Sequence, residues 1–354
     1  LTDTEGAGFE VSPGFAALRD GTLTTNTWLE AQRGRYEDTL FPALDAAGFA
    51  RTDLLVAWEV QIASETQSLG PILSMKDTAA ADMDESGVPF TTTLVSVDHD
   101  EDVALLVQGT FQPPSFLDDN ELRYADDAYS VTLSEAERPA YEFTMVVPKG
   151  LPSTGSVPLV VMGHGIFGEG RGYLTSGSTG QLVQQMAAAA GVVIVATDWV
   201  GLSGGDLDLI ISEVIPDLGR VRVVTDRLAQ SLINNQALVH LVRTELQFLE
   251  ETGRDAADPL VDDRLYYYGV SLGGIQGTSF SGLTDDVSRA IVSVPGGGWT
   301  HMIQRSVHFE QIEVLLDALY PDPLSQVLFI TALQSEYSLW SREVEDALVP
   351  VTAE

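Results

Sequence analysis

Tyr266-Tyr267-Tyr268-Gly269-Val270-Ser271-Leu272-Gly273-Gly274 is the stretch whose reading decides the fold. A β-rich run ends in Gly-x-Ser-x-Gly, and a helix of small residues is expected from Leu272 onward. The pattern is common by chance, and the plainer reading is a glycine-rich turn with an incidental serine. Its setting between strand and helix is what acyl-transfer chemistry needs. The serine must sit on a strained turn so that its hydroxyl projects above the sheet. Gly269 and Gly273 leave room for that turn, and the new helix aims its first N–H groups at the reaction site.

Upstream, Leu159-Val160-Val161-Met162 runs into Gly163-His164-Gly165-Ile166-Phe167-Gly168. A tetrahedral oxyanion needs two N–H donors. One is expected from Leu272, the residue after the nucleophile. The other is expected from Ile166, on a loop that Gly163 and Gly165 allow to turn back over the sheet. His164 reads as a loop-shaping histidine and not as the base.

Short apolar strands alternating with helices predict a parallel sheet with crossovers. Strands are expected at 157–162, 192–197, 265–269 and 290–294, with helices near 180–190, 219–250 and 272–282. The long helix carries Val221, Val224, Leu228, Leu232, Leu238, Leu241 and Leu246 at helical spacing, with Asp226, Arg227, Gln230 and Arg243 off that stripe. A further strand is expected at Tyr141–Pro148 and a hairpin over 90–111. The hairpin's Asp98-His99-Asp100-Glu101-Asp102 tip reads as a solvated turn, because its spacing matches no metal loop. Trp28 to Gly48 reads as a helix with Gly48 beyond its end. Asp53 to Ile62 reads as a strand, residues 64–89 as a connection and 112–140 as irregular. Two parts are expected: 1–140, a helix and a β-rich extension of the sheet, and 141–354, the catalytic core.

Gly-His-Gly-Ile-Phe-Gly followed by Gly-Val-Ser-Leu-Gly-Gly resembles the lipases and esterases of the α/β-hydrolase superfamily. Asp53-Leu54-Leu55-Val56-Ala57-Trp58-Glu59-Val60-Gln61-Ile62-Ala63-Ser64 resembles a segment of large bacterial exported hydrolases, lipases with a virulence-factor-type N-terminal region. Asp226-Arg227-Leu228-Ala229-Gln230 is similar to theirs as well. The resemblance implies a mostly parallel α/β sheet, Ser271 as nucleophile, and a carboxylic ester as substrate, either a small molecule or a lipid. It also implies that no cofactor is needed and that the protein is exported.

The triad order in this fold is Ser, acid, His. Asp198, after the strand ending at Thr197, precedes Ser271 and so reads as a turn-former. After Ser271 the histidines are His301 and His308, and no histidine follows His308. Both come early for the last strand, and Asp285 and Asp286 fall in a loop. The expectation is therefore a chain cut at its C-terminus, with acid and base beyond Glu354. The alternative is His301 or His308 as base. Otherwise His301, beside Gly296-Gly297-Gly298-Trp299, reads as pocket lining. The start, Leu1-Thr2-Asp3-Thr4-Glu5, carries no targeting segment and no Met, so a cut is expected there too.

The 354 residues hold 52 acids against 18 Lys plus Arg, a net charge of −34, and only Lys76 and Lys149 are lysines. Such a surface repels nucleic acid and anionic membranes. It fits hydrated carboxylates in salty water, or an Arg-favouring secreted protein. With no cysteine, disulfides, thiolate metal sites and a Cys nucleophile are excluded. No stretch reaches the roughly 20 apolar residues of a transmembrane helix. Two functional classes stand: a serine ester hydrolase, with peptidase, thioesterase and polyester depolymerase as variants on the same machinery, and a non-catalytic hydrolase-fold binding protein.

Overall fold

The centre of the fold is Val157–Gly163, a strand buried along its whole length. Such a strand must be covered on both faces, and its side chains alternate between two cores. Leu159 and Val161 join a cluster with Leu228, Leu232 and Phe280. Val160 and Met162 join another with Leu174, Val183 and Ala187. The computed structural model describes residues 10–59, 64–126, 129–214, 216–217 and 220–296, together with Thr4 and residues 313, 314, 317 and 318.

Nine strands are present among the described residues: β1 Phe90–Val97, β2 Val103–Phe111, β3 Leu117–Asp118, β4 Glu121–Leu122, β5 Tyr141–Pro148, β6 Val157–Gly163, β7 Val193–Thr197, β8 Val261–Val270 and β9 Val287–Ser293. Seven form one sheet in the order β1-β2-β5-β7-β6-β8-β9, and β3-β4 is a separate ribbon. The strands β7, β6, β8 and β9 run parallel. The hairpin β1-β2 and β5 extend that block antiparallel. Parallel neighbours need helical crossovers. The helices are α1 Pro13–Arg19, α2 Thr27–Arg35, α3 Phe41–Ala46, α4 Glu65–Ser86, α5 Gly170–Thr175, α6 Gly177–Ala190, α7 Leu207–Leu209, α8 Arg222–Thr244 and α9 Leu272–Leu283. The core on one face takes its helical side chains from α5 and α6, and the core on the other from α4, α8 and α9. This sheet, with its crossovers and its strand–serine–helix junction, has the α/β-hydrolase architecture.

Contacts divide the chain into two units, Leu1–Ala63 and Ser64–Glu354, so the hairpin at 90–111 falls with the sheet it extends. In the first unit Phe15, Tyr36 and Phe41 form an aromatic cluster. Arg51 lies 3.9 Å over the Phe41 ring.

Two expectations are corrected. Asp53–Ile62 is not a strand where it is described: a 3₁₀ turn at Arg51–Asp53 leads into residues 54–59, which pair with no strand. Residues 64–89 are mostly helix and not a connection. In α4 the Ser64 hydroxyl caps the Gln67 N–H at 3.1 Å. Leu69, Ile72, Met75, Ala79 and Met83 make its buried stripe, and Gly87 ends it with φ +67. Asp226 and Gln230, off the apolar stripe of α8, are buried as well. They are 3% and 0% exposed and fasten the irregular segment before β5 to α8. Phe116 N–H donates to Gln230 Oε1 at 2.9 Å, Leu122 N–H donates to Asp226 Oδ2 at 2.9 Å, and Gln230 Nε2 donates to the Pro114 carbonyl at 2.9 Å. Buried backbone amides need partners, and here side chains supply them where no ladder does.

Candidate active site

Ser271 stands between β8 and α9 with φ +55 and ψ −115. For a residue bearing a side chain this is a strained conformation. It is held by Ser271 N–H donating to the Ser293 carbonyl at 3.0 Å, and by Gly274 and Ile275 N–H donating to the Ser271 carbonyl at 2.8 and 3.0 Å. The side chain makes no capping bond to its helix, although serine is a favoured N-cap. The hydroxyl is thus left for something other than helix termination.

Glycines close the junction from below. A Cβ on Gly273 would run into the Gly163 main chain, and one on Gly269 into the Gly273 carbonyl. The end of β6 and the start of α9 therefore touch backbone to backbone. The Tyr267 ring fills the remaining space against Gly277. Its hydroxyl, in a side chain 2% exposed, donates to the Gly273 carbonyl. Burial pushes the Tyr267 phenol well above its ordinary pKa.

The loop after β6 faces the serine. A Cβ on Gly165 would lie 3.6 Å from Ser271 Cβ. Phe167 takes φ +54, and its N–H donates to the Leu202 carbonyl at 2.8 Å. Gly168 N–H donates to the Gly165 carbonyl at 2.9 Å, and Gly204 N–H to the Gly168 carbonyl at 3.1 Å. Between these anchors Ile166 N–H has no acceptor among the described residues, and neither has Leu272 N–H at the start of α9.

His164 is fully buried. Its Nδ1 bonds the Gly165 carbonyl at 2.8 Å, and its Nε2 accepts from Trp199 N–H at 2.7 Å. With both ring nitrogens occupied in this way the imidazole is the neutral Nδ1–H tautomer. Burial lowers its pKa to about 4.

Asp198 anchors the element behind the loop by accepting Gly170 N–H, the first of α5, at 2.7 Å. Burial raises the Asp198 pKa to about 6, against that hydrogen bond. Asp206, 1% exposed, gathers the 201–206 turn. Its Oδ2 accepts from Gly201 N–H, Ser203 N–H and Ser203 Oγ at 2.8, 2.8 and 2.6 Å. Its Oδ1 accepts from Arg227 Nη2 at 2.5 Å, and Arg227 Nη1 reaches Asn120 at 2.8 Å. Arg227 on α8 thereby supports the turn whose Leu202 holds the loop facing Ser271.

The structure brings together Gly163, His164, Gly165, Ser271, Leu272, Gly269 and Gly273, as the two motifs require, with Ile166 on the facing loop. It adds Tyr267, Tyr173, Leu202 and Asp206, which no motif marked, and buries Trp199 completely. The one cue was the Asp198-Trp199-x-Gly201-x-Ser203 run beyond β7. His301, His308 and the Gly297–Trp299 stretch lie outside the described residues. At the 98–102 turn, Asp100 Oδ1 accepts Asp102 and Val103 N–H, both at 2.9 Å.

A scan against protein-family models and a search of curated proteins returned no match. Among solved structures, acetyl xylan esterase 1 from Thermoanaerobacterium sp. JW/SL YS485 is 14% identical with a TM-score of 0.45, covering 78% of this chain and 76% of its own. The acetyl xylan esterase from Paenibacillus sp. R4 is 17% identical with a TM-score of 0.43, covering 79% and 76%. The poly(3-hydroxybutyrate) depolymerase from Bordetella parapertussis is 16% identical with a TM-score of 0.29, covering 54% and 51%. The fold class rests on the strand order and the serine junction. No helix among the described residues is long and apolar enough to cross a membrane.

Proposed function

We propose that this chain is a serine hydrolase of carboxylic esters, an esterase or lipase, working through an acyl-enzyme on Ser271. The observation that carries the reading is the state of Ser271. Its backbone is strained at φ +55, its side chain caps nothing, and it faces the Gly165 loop. Strain of this kind persists only where the surroundings impose it, and it clusters at functional sites. Ser271 Oγ attacks the acyl carbon, and the Ile166 and Leu272 N–H groups receive the oxyanion. Gly163, Gly165, Gly269 and Gly273 set the approach of the two donors, and His164 fixes the loop.

The serine proton needs a base. His164 does not serve, because it is neutral, buried and already accepts Trp199 N–H. The described residues after Ser271 include no histidine, so the base and its orienting acid are assigned outside them. This chemistry requires no metal or organic cofactor. The substrate is a small-molecule or lipid ester, met in an exported setting, and not a nucleic acid. Peptidase and thioesterase activity would use the same atoms, since substrate choice lives in loops.

The test is Ser271→Ala in the full-length protein. Hydrolysis of short p-nitrophenyl esters should be lost while the thermal midpoint is kept, and a fluorophosphonate probe should label Ser271 in the parent only. A parent that is neither labelled nor active would establish the non-catalytic binding reading instead.

A further inference from the structure

Resting on the ester-hydrolase reading, we infer that the Tyr173 hydroxyl is a third hydrogen-bond donor to the reacting acyl group, beside the Ile166 and Leu272 amides. The notch left by the missing side chain of Gly165 carries this inference. A Cβ placed there would lie 3.6 Å from Ser271 Cβ on one side and 2.7 Å from Tyr173 Oη on the other. The Tyr173 hydroxyl therefore fills the space a Gly165 side chain would take, on the side of the loop that faces Ser271.

Tyr173 is held in place by its neighbours. Leu174 is fully buried in the core beside it. Tyr173 N–H donates to the Glu169 carbonyl at 3.1 Å, and Asp198 fixes the first amide of α5. The ring lies along the loop, where a Cβ on Gly168 would come within 3.0 Å of its Cε2. Gly165 and Gly168 thus make room for an aromatic side chain, in addition to letting the loop turn. A donor fixed before the reaction needs no reorganisation as charge develops.

The step balances without further reagents. Ser271 Oγ bonds the acyl carbon, the carbonyl π pair moves onto oxygen, and the serine proton passes to the base. Tyr173 donates its O–H to the new oxyanion and keeps its proton. Collapse re-forms the carbonyl and breaks the bond to the alcohol oxygen, which takes the proton from the base.

The experiment compares Tyr173→Phe and Tyr173→Trp with the parent full-length enzyme. The readouts are p-nitrophenyl acetate kinetics, the Ki of an alkyl trifluoromethyl ketone (which forms an oxyanion adduct with a serine), and the thermal midpoint. In Tyr173→Phe, kcat should fall on the order of 10²-fold with KM within about twofold, and the ketone Ki should rise in parallel. The midpoint should stay within a few degrees, because the ring remains. Tyr173→Trp, which keeps a ring-borne N–H, should recover part of the loss. Unchanged kcat and Ki in Tyr173→Phe, with Ser271 still labelled by fluorophosphonate, would overturn the role of Tyr173 and leave the ester-hydrolase reading standing. An unlabelled Ser271 in the parent would overturn both. A Tyr173→Phe that loses stability and activity together, with Ki following the folded fraction, would make Tyr173 a packing residue and overturn the inference.

Discussion

Gly273→Ala tests whether the backbone contact between β6 and α9 sets the site. The added Cβ would stand 2.3 Å from the Gly163 carbonyl oxygen. An ordinary contact needs about 3.4 Å, so the two elements must part by about 1 Å. No side-chain rotation can absorb this. Gly163 is locked in register opposite Gly269, and the Gly273 carbonyl is tied to Tyr267. Overpacking of this kind costs about 1–3 kcal/mol, or roughly 2–4 °C of midpoint per kcal/mol in a domain of this size. The catalytic effect is larger in proportion. Leu272 N–H rides on the displaced helix, and a misplacement of about 1 Å costs on the order of 10²-fold in rate. The assay is kcat on p-nitrophenyl acetate, beside a thermal melt and a Gly172→Ala control. At Gly172 the nearest atom to a new Cβ is Glu169 Cβ at 4.0 Å, so that variant should behave as the parent. A Gly273→Ala enzyme with kcat within twofold of the parent would refute the idea that this contact places the donor.

Other perturbations follow from the same site. His164, with its pKa lowered to about 4, favours the fold above pH 6.5 and loses that contribution as the pH falls toward 4. Asp198, raised to about 6, acts in the opposite sense: it opposes the fold when ionised and ceases to as the pH falls from 6 to 4. Asp198→Asn should therefore melt above the parent at pH 7 and converge with it near pH 4, and parallel curves would contradict the Asp198 assignment. Arg227→Met leaves the 1%-exposed Asp206 without its cation; it should cost on the order of 3 kcal/mol and lower kcat, measured by urea melts and ester kinetics. Because the acids outnumber the bases 52 to 18, the midpoint should rise from low salt to about 1 M NaCl through screening. A neutral osmolyte serves as comparison, and a flat response to salt would count against the screening account.

The parallel block was legible because each of its strands carries a short apolar run, interrupted or bounded by Gly, Pro or charge. The strand–serine–helix junction was legible because so tight a turn needs glycine on both sides of the serine. The helix α4 was hidden by Gly70-Pro71, which read as a breaker. Its 69-72-75-79-83 spacing is helical, and the helix tolerates one lost N–H because the stripe is buried. Asp53–Ile62 failed for the opposite reason. β-rich composition makes a strand only where a ladder receives it, and Val56 and Trp58 stand 58% and 66% exposed. The burial of Asp226 and Gln230 was not legible, because nothing in the sequence says that Phe116 and Leu122 bring their amides to them. Tyr267 and Tyr173 carry no motif. A tyrosine announces packing, and only three dimensions reveal which carbonyl or notch its hydroxyl meets.

The contact of Gly163 with Gly273 is made by main-chain atoms alone, and the Ile166 and Leu272 amides lie just beside it in the chain. Side chains that do not brace this contact, as Tyr267 does, can be replaced without moving those atoms. Under the proposed reading, the amides that receive the oxyanion and the side chains that select the ester are therefore different atoms of the chain. On that reading, a change of acyl or alcohol group asks for new side chains around the pocket and not for a new main-chain contact.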